Sequence, residues 1–203
     1  MTSVLAVHAV GESLRAYLDA TYPAALRARI PCAFQLVASG QLTAAATEDL
    51  DNAVTLYLYR VTLNEHVRTA PRLADDGREQ VPLSLDLHYL VSVWAKSALV
   101  EHTVLAWVMR QLHQRPVLDR AALAPADEWG PGDVVQVLPA ELGTEQLMRV
   151  WDALDPAYRL SVSYVARAVR IDADPVPAGA PVVARRLAVS ATVPDVLPAG
   201  AVA

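Results

Sequence analysis

Cysteine is nearly missing from this chain: Cys32 stands alone among 203 residues. One thiol cannot close an internal disulfide, so the core must hold the fold, and a reducing cytoplasm suits it. Cys32 sits among Pro31, Ala33 and Phe34 with no activating base beside it. It therefore reads as a small buried hydrophobe rather than a nucleophile. Long apolar runs are missing too, since none approaches the roughly 20 residues of a spanning helix. The opening MTSVLAVHAVGESLRAYL lacks the basic leader and cleavage site of a secretory signal. A soluble cytoplasmic protein with no membrane partner is expected. No block of like charge occurs, and a formal net charge of -5 offers no basic stripe for phosphates, so no nucleic-acid partner is expected either. Motifs of catalysis are equally scarce. The sequence has no GxSxG and no HExxH, and Gly130-Pro131-Gly132 lacks the lysine and the following helix of a phosphate loop.

What the chain does have is a 54% hydrophobic composition, mostly Ala, Val and Leu, enough for one sizeable core. Its clearest pattern runs from 54 to 95. In the first half Val54, Leu56 and Leu58 alternate with Tyr57, Tyr59 and Val61, predicting a central strand covered on both faces. In the second, Leu83, Leu85, Leu87, Tyr89, Val91 and Val93 share one face at period two. Ser84, Asp86, His88, Ser92 and Trp94 occupy the other. The roughly twenty residues between are long for a hairpin loop. Asp75-Asp76-Gly77 is a tight-turn signal, so this charged excursion is expected to hold a small hairpin of its own.

Around this unit, Val7, Val10, Leu14, Tyr17 and Leu18 predict a helix over 3–20, capped by Ser3 and ended at Tyr22-Pro23. Gly11 lies inside that pattern at a cost of about 1 kcal/mol relative to Ala, which suggests close packing there. Residues 32–37 read as a short strand, and QLTAAATEDLDN after it as a loop. A second helix spans 98–115, so apolar around its circumference that it needs a second partner surface besides the sheet. A short strand at 134–138 follows the Trp129 loop. A third helix starts at a Thr144 cap, with Leu147, Val150, Trp151 and Leu154 as its apolar face, and a strand runs from 158 to 171. From Asp172 onward Pro, Ala, Val and Gly dominate, predicting a tail over 173–203 with an edge strand between Pro181 and Thr192. The expected class is α+β over 1–172, with a mainly antiparallel sheet and about three packed helices.

Candidate chemistry is sparse. Asp86 and His88 share one strand face, and such a pair either orients a general base or forms a polar contact. No nucleophile accompanies it in a known motif, so the polar contact is the preferred reading and a small hydrolase the lesser alternative. His102 and His113 lie eleven residues apart on one side of the second helix. At 1.5 Å per residue that is about 16 Å, too far to share a metal. His8 and His66 stand alone. Neither a metal nor a cofactor is expected. Trp94, Trp107, Trp129 and Trp151 read as core or interface anchors.

Five stretches together resemble a known family: LYLYRVTLNEHVR at 56–68, DGREQVPLSLDLHYLVSVWA at 76–95, LAWVMRQLHQRPVL at 105–118, EQLMRVWDAL at 145–154 and YRLSVSYVARAVRID at 158–172. The chain is similar to the N-terminal domain of the tail-terminator, or sheath-cap, proteins of contractile injection systems of the antifeeding-prophage type. The most specific parts are the YRVT stretch, the PLSLDLHYLVS strand and the LH-x-x-P helix end. VSVWA at the end of the second strand and the Pro/Ala-rich tail depart from the pattern. The resemblance implies a phage tail-terminator-like fold and a non-enzymatic structural protein. It would form a homo-hexameric ring distal to the baseplate, ending inner-tube growth and tying it to the last sheath layer. Its partners are then itself, the inner-tube protein and the sheath protein. A transient cytoplasmic assembly factor for tube or sheath is the alternative. Subunit or tube and sheath contacts are expected on the 65–82 excursion, the 96–115 helix and the tail, with Arg68, Arg72, Arg78, Trp107, Arg110, Arg185 and Arg186 as candidates.

Overall fold

A computed structural model describes residues 3–48, 50–64, 82–130 and 132–172, with the backbone alone of 72–73 and 79–80. They lie in Met1–Ala173, the first of two units into which the chain divides; the second is Asp174–Ala203. The expected tail and its edge strand lie outside the described residues.

In chain order the elements are α1 (Ala6–Thr21), α2 (Ala24–Arg29), β1 (Ala33–Val37), α3 (Ala44–Thr47), β2 (Ala53–Leu63), β3 (Arg72–Leu73), β4 (Glu79–Gln80), β5 (Leu83–Trp94), α4 (Ala98–Gln114), β6 (Val117–Leu118), β7 (Val135–Pro139), α5 (Thr144–Asp152) and β8 (Ser161–Ile171). Six strands form one sheet in the order β1-β2-β5-β8-β7-β6, and β3 pairs with β4 separately. Only β1–β2 is parallel. The α+β class with a mainly antiparallel sheet is therefore the fold. The small hairpin expected in the excursion corresponds to the β3–β4 ladder, and the turn expected at Asp75-Asp76-Gly77 lies outside the described residues.

The period-two pattern of β5 sorts the molecule into two layers. Leu85, Leu87, Tyr89, Val91 and Val93 face the larger core, where Val10, Leu14 and Leu18 of α1 and Val104, Trp107, Val108 and Leu112 of α4 cover them. Leu90 and Trp94 face a smaller cluster closed by Leu42 and by Trp151 of α5. In the larger core Gly11 meets Leu36: a Cβ at residue 11 would come within 2.7 Å of the Leu36 Cδ1 atom. The glycine is what lets α1 lie this close to β1. All four tryptophans are buried, so each is a core residue of this chain.

Several expectations change in detail. Ser3 is not the cap of α1. Leu5 holds that position, and Ser3 Oγ accepts the Leu5 N–H at 3.0 Å one turn earlier. Gly143, not Thr144, caps α5. The loop expected after β1 contains α3, begun where Thr43 Oγ1 accepts the Ala46 N–H at 3.2 Å. The short α2 and β6 have no counterpart in the sequence reading. Helix α4 buries one face only, leaving Leu99 73% and Met109 43% exposed.

The expectation that β2 is covered on both faces holds for Ala53–Leu56 and fails beyond. Strand β1 pairs only with residues 53–57. Past it, the register against β5 slips between Leu58 and Arg60, inserting Tyr59 as a bulge. One extra residue reverses the alternation that follows. Val61, read as sharing the face of Tyr57, instead pairs with Leu87 and joins the face of Leu58. Val61, Leu63 and Leu83 are 47%, 55% and 48% exposed, an uncovered apolar end to the sheet. The Asn64 N–H donates to the Ser84 carbonyl at 2.9 Å, so the backbone of Val61 and Leu63 points the other way, toward the side where β1 has stopped. Among the described residues no strand pairs there.

Candidate functional site

A second bulge faces the first across β5. In the β5–β8 ladder Leu85 pairs with Val169 and Leu87 with Ala166, so Asp86 opposes both Arg167 and Ala168. Ala168 adopts a φ of 58°, a left-handed conformation that alanine rarely takes. Asp86 stabilises it: Oδ1 accepts the Ala168 N–H at 3.0 Å and the Asn64 Nδ2 at 2.8 Å. Oδ2 faces the Arg167 Nε at 3.8 Å, an ion pair without a hydrogen bond. The carboxylate is thus committed to holding strands together.

His88 sits two residues on, half-buried. Its Nε2 lies 3.2 Å from the Thr62 hydroxyl, and its ring meets Tyr59 edge-on at 6.0 Å. Burial lowers its pKa from 6.5; Arg60 lowers it further, Asp86 opposes this, and Arg167 adds a smaller lowering. The imidazole is therefore neutral at pH 7. Asp86 and His88 share no hydrogen bond, so the general-base dyad weighed from the sequence is not assembled.

These side chains floor an open recess of about 650 Å³, walled by Arg60, Thr62, Leu63, Leu138, Pro139, Glu141, Val165 and Arg167. Among the described residues the Arg60 side chain makes no hydrogen bond or ion pair, and it is exposed. Both bulges place an arginine at this recess. Sequence reasoning missed the pairing because each bulge breaks the alternation by which faces are assigned. The signal was there in Arg60 and Arg167, charged residues interrupting otherwise apolar strand patterns.

The expected contact residues fare differently. Arg110 is exposed on α4. Trp107 is not at the surface: it lies in the core with its ring 4.8 Å from Tyr22 and 5.8 Å from Phe34. Arg68, Arg78, Arg185 and Arg186 lie outside the described residues, and Arg72 is described by its backbone in β3 alone. Cys32 is buried, and burial pushes its thiol up to about 12, well away from nucleophilic use. His102 and His113 are exposed on α4. Among the described residues no group of His, Cys, Asp and Glu is arranged to hold a metal, and no helix is long and apolar enough to cross a membrane.

Comparison with known proteins adds three findings and one blank. The sheath/tube terminator of an extracellular contractile injection system, PVC, in its extended state, superposes with a TM-score of 0.61 at 20% identity, covering 96% of this chain and 65% of that one. The tube-terminating cap of the anti-feeding prophage superposes with a TM-score of 0.51 at 19% identity, covering 93% of this chain and 62% of the cap. This chain thus spans less than two thirds of the length of either. No curated protein matches. The description "Pvc16 N-terminal domain" matches residues 9–185, most of the sequence, and the chain belongs to that family.

Proposed function

We propose that this chain is a structural terminator of a contractile injection particle, closing the tube and sheath at the end distal to the baseplate. The observation that carries the reading is a fold shared over nearly the whole chain with a sheath/tube terminator and a tube-terminating cap. The surface supports it. The sheet ends in exposed Val61, Leu63 and Leu83 beside the backbone left open by β1, and such an edge invites a further protein. In this reading the partners are other copies of the chain in a ring, six by analogy, together with inner-tube and sheath subunits. Arg68, Arg72, Arg78, Arg110, Arg185 and Arg186 are proposed contacts. The role needs no catalysis and no cofactor, and assembly takes place in the cytoplasm.

The test is electron microscopy of particles made with and without the chain. Its loss is expected to give tubes of uncontrolled length with open ends. Normal particles of unchanged length would overturn the proposal. Mass spectrometry of finished particles separates a resident terminator from a transient assembly factor, which would be missing from them.

A further inference from the structure

The recess over Asp86 and His88 has a charge arrangement that its structural duties do not use up. Strands on either side of β5 each carry a bulge, and each bulge sets an arginine at the same opening. Among the described residues the Arg60 side chain has no hydrogen-bond or ion-pair partner, and Arg167 meets Asp86 only at 3.8 Å, beyond hydrogen-bond distance. Guanidinium groups so placed match a carboxylate or phosphate by charge-assisted hydrogen bonds. Two facts choose between these. Asp86 and Glu141 at the same opening offset much of the positive charge, which suits one negative charge and not a polyanion. Leu63, Leu138, Pro139 and Val165 supply apolar walls, which suit methylene groups leading to the charge.

We propose that this recess receives a glutamate or aspartate side chain from a protein partner, its carboxylate held between Arg60 and Arg167. His88 stays neutral on the floor, so the site's attraction rests on the two arginines alone at pH 7. The identity of the partner as a particle subunit rests on the terminator reading. The chemistry of the recess does not.

The experiment titrates the full chain, at low salt, into a fluorescently labelled glycine-serine peptide carrying one glutamate, with the same peptide carrying lysine in its place and oligo-dT as controls. Wild type is expected to bind the glutamate peptide with a Kd of about 1 mM and to leave both controls unbound. Arg60→Ala and Arg167→Ala each weaken binding by at least about fivefold, and the double variant abolishes it. Arg60→Lys, which keeps the charge but loses the planar fork, falls between. The Arg60 side chain is exposed and makes no hydrogen bond or ion pair among the described residues, so an unchanged melting curve is expected for its variants. Absence of binding to the glutamate peptide, binding that survives the double variant, or stronger binding of oligo-dT each overturns the proposal. Capture of tube ends by wild type is scored separately. A chain that binds the peptide but caps nothing keeps this site and loses the terminator reading.

Discussion

Asp86 carries a charge into a position only 9% exposed, where an unpaired carboxylate would be strongly unfavourable. Its two hydrogen bonds compensate, and both reach neighbours on other strands. Asp86→Ala is expected to lower stability by about 2 kcal/mol, because the Asn64 amide and Ala168 N–H then lose a charged acceptor. Urea denaturation measures this; a loss below about 0.5 kcal/mol would show that the bulge does not depend on Asp86. His88 sets a pH dependence of known sign. Its folded pKa is lowered from 6.5, so the unfolded state binds more protons in the window just below that value. The contribution is full above 6.5 and is lost as pH falls toward the folded value. His88→Gln is expected to flatten that part of the stability profile, and an unaltered slope would assign it to another group. Cys32, with its thiol pushed up to about 12 by burial, is expected to resist iodoacetamide in the native protein and react once unfolded. Prompt native labelling would place it at the surface.

Among the elements, α1 and α5 depend on single residues for their seating. Gly11→Val adds atoms where even a Cβ lies 2.7 Å from Leu36, and is expected to destabilise by about 2 kcal/mol. Trp151 binds α5 to the sheet through Trp94 at 6.1 Å, and its ring also meets Tyr158, in the loop before β8, at 6.0 Å. Trp151→Ala is expected to cost about 3 kcal/mol in the same assay, and a near-neutral result would mean that α5 is held by its ends. Strand β5 was legible to its last residue because its period-two pattern reports burial on one continuous face. Helices α1 and α4 were legible from helical spacing. The bulges at Tyr59 and Arg167 were not, because an inserted residue leaves no trace in composition and reverses every later assignment. Nor was α3, a single turn too short for periodicity, though Thr43 before three alanines was a cap signal. The candidate site suffered most. Asp86 and His88 were visible as a pair, yet Arg60 and Arg167 join them only through strand neighbours far apart in sequence.

For the whole molecule, the proposed terminator role asks the chain to bind well at one place and stop there, which calls for surfaces that an isolated chain does not satisfy. Exposed Leu99 and Met109 on α4 and the apolar sheet end at Val61, Leu63 and Leu83 are such surfaces. The sequence-level view of α4 as needing a second partner surface is thus half answered within the chain, by one buried face. Strand β1, with five residues against the eleven of β2, has a further consequence for the unassembled molecule. Among the described residues no strand covers the later half of β2, and an open strand is a template on which any extended chain can pair, including a misfolded copy. Solubility should therefore be poor wherever the protein is made in excess over what can cover it. Val61→Lys with Leu63→Lys is expected to raise the soluble yield of chain made alone, while weakening its incorporation into particles. Under the proposed terminator role, the cell is then under pressure to match its supply of this protein to the number of tubes awaiting an end.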